Sequence, residues 1–275
     1  MISVFIMGGL GNQLFQIFTT IAYSLKHKIP FKLPSNKNDL NSPYGEIYKR
    51  PLYFDNFLKN LKPFLTSNFQ HQVLYREKGH FYTELSYCKE NILLIGYFQS
   101  YKYFDSYKND ILKLIGFENY RKSNLHSLNN NTISIHFRIG DYVHATNTHP
   151  ILKNEYYKNA LNYILSKNEN KNFTVVYYCE NRDIEKVNIN IKILKRAFPL
   201  LTFVKSKDNM ADWEEMISMS CCTHNIIANS TFSWWSGYLN ENKDKIVCYP
   251  DTWFGPALTK DTRDLFPNEW VKIKE

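Results

Sequence analysis

The sequence predicts an α/β protein built on parallel sheets, and three observations carry that prediction. Strand-like runs alternate with helical runs through most of the 275 residues. The first apolar run ends in Gly8-Gly9-Leu10-Gly11 and passes directly into a helical stripe. A later run, Ile226-Ile227-Ala228, enters Asn229-Ser230-Thr231, residue types that cap helices. Composition agrees: 44% hydrophobic and 22% charged residues exclude wholesale disorder and permit a sizeable core. The 16% aromatic content offers flat surfaces for a sugar or a base. Net charge is 34 − 26 = +8, which suits a nucleotide diphosphate, a nucleic acid or an acidic lipid.

Taken in order, residues 2–6 form the first strand. Leu14, Phe15, Phe18, Ile21, Ala22 and Leu25 mark the first helix by their spacing. Residues 29–33 suggest a second strand. Residues 36–87 are irregular and aromatic, and no element is read there. Residues 91–98 form a buried strand, and a helix opening near Asp105 carries Ile111, Leu112 and Ile115. The polar, Asn-rich stretch 122–131 reads as a linker between two such units. Beyond it, Ile133, Ile135 and Phe137 alternate with Ser134, His136 and Arg138, the period of a strand. Tyr156, Tyr157, Ala160, Leu161, Ile164 and Leu165 form a helical stripe. Strands follow at 173–178, 201–204, 225–228 and 246–249. Helices open at Asp212 and after Ser230.

No apolar run approaches the roughly 18 residues of a membrane span. The N-terminus lacks a basic leader and reads as a strand, so a cytoplasmic protein is expected, with peripheral membrane contact allowed by its charge. Five cysteines without CxxC spacing imply reduced thiols. Cys221-Cys222 beside His224 fits no common zinc spacing and reads as core. The sequons at Asn130, Asn172 and Asn229 read as chance matches.

Ligands of open parallel sheets sit beyond the carboxyl ends of the strands, and three stretches fall there. Gly8-Gly9-Leu10-Gly11-Asn12-Gln13 lets backbone approach a ligand or simply makes a tight turn. It is not G-x-G-x-x-G and lacks a P-loop lysine. In His136-Phe137-Arg138-Ile139-Gly140-Asp141-Tyr142, His136 and Arg138 leave one strand on the same side. An arginine fork can clamp a diphosphate, and its charge does not titrate away. In Asn229-Ser230-Thr231-Phe232-Ser233, hydroxyls stand beside the amides of a helix start, an anion site by dipole and hydrogen bonding. Trp234 and Trp235 read as core. Lysine and arginine are scattered rather than striped, so no nucleic-acid partner is expected.

Together the three stretches resemble family 11 glycosyltransferases, the α-1,2-fucosyltransferases. Residues 7–15 read MGGLGNQLF, residues 136–142 HFRIGDY and residues 226–235 IIANSTFSWW. Gly96-Tyr97-Phe98-Gln99, Glu155-Tyr156-Tyr157 and the PDTWF of residues 250–254 are lesser matches. The resemblance implies a GT-B-like fold, two Rossmann-type domains with a cleft between them. Residues 1–125 would form the acceptor side, and residues 126–275 would bind the donor nucleotide. It implies a metal-independent inverting transfer of L-fucose from GDP-β-L-fucose to the 2-hydroxyl of a galactoside in a glycan, with no cofactor. The acceptor would be a galactose-terminated oligosaccharide, glycolipid or glycoprotein glycan. His136 would contact the nucleotide and Arg138 its β-phosphate. Ser230, Thr231 and Ser233 would hold phosphates from the other side. Asn12 would sit near sugar and acceptor. Asp141 would act as general base, or else fix the turn or orient Arg138. Glu180 and Asn181 would read the base.

Two departures bear on this. Ile139 stands where the family often has a second arginine. Cys179-Glu180-Asn181 stands where it commonly has Ser-Asp-Asp, which puts guanine preference in question. A transferase of another nucleotide sugar, a nucleotide-binding module and a non-catalytic glycan-binding homologue are the alternatives.

Overall fold

A computed structural model describes residues 1–35, 51–125, 131–169 and 171–275. Part of the irregular 36–87 region, half of the expected linker and Asn130 therefore lie outside the described residues. The chain divides into two units. One comprises Met1–Asn119 with Lys260–Pro267, and the other Tyr120–Thr259 with Asn268–Glu275. A single cut after residue 125 does not describe this division, because Lys260–Pro267 returns to the first unit. Asp264 fixes that return: its carboxylate takes the Tyr82 amide at 3.0 Å and the Lys102 ammonium, and its carbonyl accepts from Ser100 Oγ at 2.6 Å. Such contacts, 162 to 182 residues away in sequence, leave no local signal.

In the first unit, β1 (Ile2–Val4), β2 (Leu33–Pro34), β3 (Leu65–Thr66), β4 (Val73–Arg76) and β5 (Ile92–Ile95) are all parallel. β1 lies beside β5, and β5 beside β4. On the other edge of β1, Phe31 bridges to Ile2, extending the pairing towards β2 and β3. α1 (Leu10–His27) follows β1 with fourteen of its eighteen residues buried. Its apolar stripe, Leu14, Phe15, Phe18 and Ile21, supplies much of the core. α2 (Lys108–Ile115) buries Ile111, Leu112 and Ile115, as their spacing predicts. β3 and β4 arise where the sequence shows no element. They are two and four residues long, and β4 buries no residue fully, so no periodicity develops. β5 is shorter than the apolar run suggests because the chain turns at Gly96, at φ +157°. α3 (Phe117–Leu125) crosses the boundary between the units.

The second unit alternates β6 (Thr132–His136), α4 (Asn154–Lys167), β7 (Thr174–Tyr178), α5 (Ile184–Ala197), β8 (Thr202–Lys205), α6 (Asp212–Ser220), β9 (His224–Ile226), α7 (Thr231–Leu239), β10 (Val247–Pro250) and β11 (Val271–Ile273). Its six strands are parallel, in the order β8-β7-β6-β9-β10-β11. Numbered within the unit, that is 3-2-1-4-5-6, the doubly wound order of dinucleotide-binding folds. One sheet face packs Ile133, Ile135 and Val175 against Tyr156, Leu161 and Val187 of α4 and α5. The other carries Val176 and Tyr178 against Met219 of α6. A buried polar network also locks β6, β9 and the end of α7. Asn225 Nδ2 donates to Ser134 Oγ at 2.8 Å, and Asn240 Nδ2 donates to Asn225 Oδ1 at 2.7 Å. Trp234 and Trp235 are fully buried, as expected. His224 is core too: its Nδ1 accepts the Ile246 amide at 3.1 Å. Among the described residues no cysteine forms a disulfide.

Candidate functional site

A doubly wound sheet opens where its strand order reverses, because the loops from the two central strands leave in opposite directions. Here that point lies between β6 and β9. His136 pairs with Tyr178 and Ile135 with Ile226, so β6, β7 and β9 end nearly level. Three stretches that sequence alone placed at strand ends, 136–142, 179–181 and 226–233, thus become neighbours on one edge.

Arg138 is the centre of this edge. One terminal nitrogen meets Glu180 Oε1 and the other Asp141 Oδ1, and the guanidinium lies 5.0 Å from the Tyr142 ring centroid. Burial works against its charge, but Asp141, Tyr142 and Glu180 outweigh that and hold its pKa above the ordinary value. Glu180 also binds Arg182 at 2.6 Å. Gly140 makes the close packing feasible. It sits at φ +34°, and a Cβ there would lie 2.8 Å from Glu180 Oε1. Its amide donates to buried Asp183 at 2.7 Å. The result is a fixed cation whose carboxylate partners are only partly buried. Of the two, Glu180 has Arg182 as a second partner.

His136 is 93% buried, and its Nδ1 has no hydrogen-bond partner. Burial, with Arg138 nearby, lowers its pKa to about 3, so the ring is neutral at physiological pH. It faces Phe232 at 5.3 Å between ring centroids. Across the switch point, Tyr142 donates to the Asn229 carbonyl at 3.0 Å. Asn229 Nδ2 donates to Pro150 O at 2.9 Å, while Oδ1 is buried without a partner. Two orphaned polar atoms flanking one strand edge are what a ligand-binding edge retains.

The turn before α7 separates its three hydroxyl residues. Ser230 caps the helix, its Oγ accepting the Phe232 amide at 3.3 Å. Thr231 begins the helix and is partly exposed. Ser233 is fully buried, and its Oγ accepts the Ala228 amide at 3.1 Å, so it braces the turn from beneath. Asn181 is exposed and accepts from Lys205 Nζ at 3.1 Å.

In the first unit the glycine-rich loop follows β1. Gly8 has φ +77°, and a Cβ there would meet Asn12 Nδ2 at 2.5 Å. Gln16 clamps Met7 from both sides, accepting its amide at 2.8 Å and donating to its carbonyl at 3.0 Å. Gln13 Nε2 donates to the Gly8 and Pro51 carbonyls, both at 2.9 Å. The loop is thus shaped by buried amides rather than by charge. Asn12 Oδ1 accepts from Gln99 Nε2 at 2.9 Å, joining the loops after β1 and β5.

Sequence reasoning passed over Tyr142, Arg182, Asp183 and the side chain of Asn229. Tyr142 and Asn229 lay inside quoted motifs, which was the available signal. Arg182 and Asp183 enter through a helical turn after β7, and nothing local marks them. Among the described residues, no group of three or more His, Cys, Asp or Glu side chains is placed to hold a metal ion. No described helix is long and apolar enough to cross a membrane.

A doubly wound sheet with a caged arginine at its reversal point defines a parallel α/β protein with a charged carboxyl edge. The chain belongs to glycosyl transferase family 11, whose model matches residues 1–274. It is similar to the O-antigen biosynthesis glycosyltransferase WbnK of Escherichia coli, 29% identical over 95% of this chain and 98% of that protein. An α-1,2-colitosyltransferase of Escherichia coli is 26% identical over 98% and 97% of the two chains. Among solved structures, a GDP complex of a mutant Arabidopsis thaliana FUT1 aligns over 97% of this chain and 74% of that one. It has 14% identity and a TM-score of 0.47.

Proposed function

We propose that this glycosyltransferase moves L-fucose from GDP-β-L-fucose to the 2-hydroxyl of a terminal galactoside, with inversion and without a metal. The observation that carries the reading is Arg138, held at the strand-order reversal of the second unit in a family 11 chain. As the bond from the anomeric carbon to the diphosphate oxygen breaks, negative charge grows on the β-phosphate. A preorganised guanidinium stabilises that charge most in the transition state. The anomeric carbon takes on oxocarbenium character, as in glycoside hydrolysis. In this reading Glu180 yields Arg138 to the diphosphate and turns to the base. Asp141 keeps hold of Arg138 and orients it. Neutral His136 lies along the nucleotide, and Ser230 and Thr231 present the start of α7 to the phosphates. The first unit serves the acceptor, with Asn12 near the sugar and the acceptor. The protein works in the cytoplasm, in contact with a membrane surface when its acceptor is lipid-linked.

The test is incubation with GDP-fucose and a panel of galactose-terminated oligosaccharides, followed by mass spectrometry of the products. Addition of one deoxyhexose, undiminished by EDTA, is expected. GDP should raise the melting temperature and UDP and ADP should not. The similarity to an α-1,2-colitosyltransferase favours a second reading, in which colitose replaces fucose. GDP-colitose in the same panel separates the two.

A further inference from the structure

We infer that Glu77 is a positioning residue: it braces the turn after β5 and thereby fixes the side chain of Asn12. The chain from one to the other is short. Glu77 leaves β4, its own amide still bonded to Ile95 O at 2.8 Å. Its Oε2 accepts the Tyr97 amide at 2.8 Å, and the Phe98 amide next along the chain also works to hold the carboxyl's pKa down. The turn needs that support. Phe98 is fully buried at φ +51°, a conformation costly for a bulky side chain, held only where its surroundings over-determine it. The residue after it, Gln99, is the one whose amide grips Asn12.

Gly96 shows the fit from the other side. A Cβ on Gly96 would lie 2.3 Å from Glu77 Cβ and 2.6 Å from Oε2, so only glycine admits the carboxylate beneath the turn. Glu77 is held in a dry setting: burial raises its pKa, opposed by the Phe98 and Tyr97 amides and by Lys260. Its Oε1 is buried without a hydrogen-bond partner. A carboxylate kept there despite that desolvation is explained by the Tyr97 amide it holds in the turn. Lys260 belongs to the segment that returns to this unit, so its charge acts on Glu77 within one unit.

This inference rests on the proposed role of Asn12 at the acceptor. Its test is therefore split into one readout that needs catalysis and one that does not. Hydrogen exchange by mass spectrometry should show Glu77→Ala speeding exchange in residues 96–99 and also in residues 8–13. Glu77→Gln, which keeps an acceptor oxygen under the Tyr97 amide, should leave both segments protected. In steady-state assays Glu77→Ala should cut transfer about tenfold, no more than removing Asn12 itself, as befits a small misplacement near reacting atoms. That loss should fall on acceptor turnover, with donor KM unchanged and Glu77→Gln within a few fold of wild type. Gly96→Ala, which displaces the carboxylate without removing it, should reproduce the Ala phenotype. Faster exchange confined to 96–99, or equal changes in donor and acceptor KM, would overturn the inference. If wild type transfers no sugar at all, the functional reading fails while the exchange result still decides the brace.

Discussion

The loop after β1 and the loop after β6 each follow the first strand of their unit, yet they are built from opposite chemistry. The β6 loop is ionic: Arg138 between Asp141 and Glu180, with Arg182 behind. The β1 loop is neutral: Gln13, Gln16, Asn12 and Gln99 bond to one another and to backbone. Amides orient a neutral, hydroxyl-bearing ligand without attracting an anion, whereas a guanidinium attracts one from a distance. The difference teaches that one α/β plan can serve two ligands, with the carboxyl-edge side chains making the choice.

The largest effect expected from this contrast is at Arg138. Arg138→Ala should lower kcat/KM on the order of 10²–10³-fold or more, the scale of losing one preorganised charge donor. Near-normal turnover would remove the ionic loop from the mechanism. Asn12→Ala should cost roughly ten- to a hundredfold in transfer. Its GDP affinity, measured by calorimetry, should match wild type; weaker GDP binding would break the division between the loops.

A third expectation concerns pH and stability. The pKa values of His136 and His224 are lowered by burial, to about 3 and about 4, from 6.5 unfolded. Between those values and 6.5 the unfolded chain binds more protons, so stability rises with pH and is lost on acidification. Each contributes up to about 1.4 kcal/mol per pH unit. Glu215 acts oppositely. Burial, then Asp212, raises it to about 7, so its protonated folded form favours stability at lower pH, and that contribution fades above pH 4.5. His80, lowered to about 4 by burial, acts with them, and the three histidines outweigh the carboxyl, so urea unfolding should show lower stability at pH 5 than at pH 6.5. A slope unchanged in His136→Gln would mean that His136 is solvated, and with it the edge around Arg138.

The smallest effect should come from Tyr142→Phe. It removes the hydroxyl that bonds Asn229 O but keeps the ring beside Arg138. The loss should be about 1 kcal/mol, roughly 2–4 °C in melting temperature. A larger drop in activity than in stability would show that the link across the strand-order reversal also positions the ligand.

Much of this was legible in the primary sequence because it is local. Alternation at Ile133, Ile135 and Phe137, the stripe on α1 and the cap at Ser230 depend on neighbours a few residues away. The three motifs could be placed at strand ends for the same reason. What remained hidden depends on contacts far apart in the chain. β3 and β4 exist only as partners of other strands. Ser233 reads like its neighbouring hydroxyls, and packing alone turns it beneath the helix.

The amino-acid order by itself determined the α/β class, the residue types gathered at each strand end and the family they belong to, since periodicity and short motifs are written within a few positions of one another. Tertiary structure alone decided that β6 and β9 flank the reversal, that Glu180 reaches Arg138 across 42 positions, and that Lys260–Pro267 rejoins the first unit. The physical reason is that strand order and ion pairing minimise the free energy of the whole packed chain, which no local window contains.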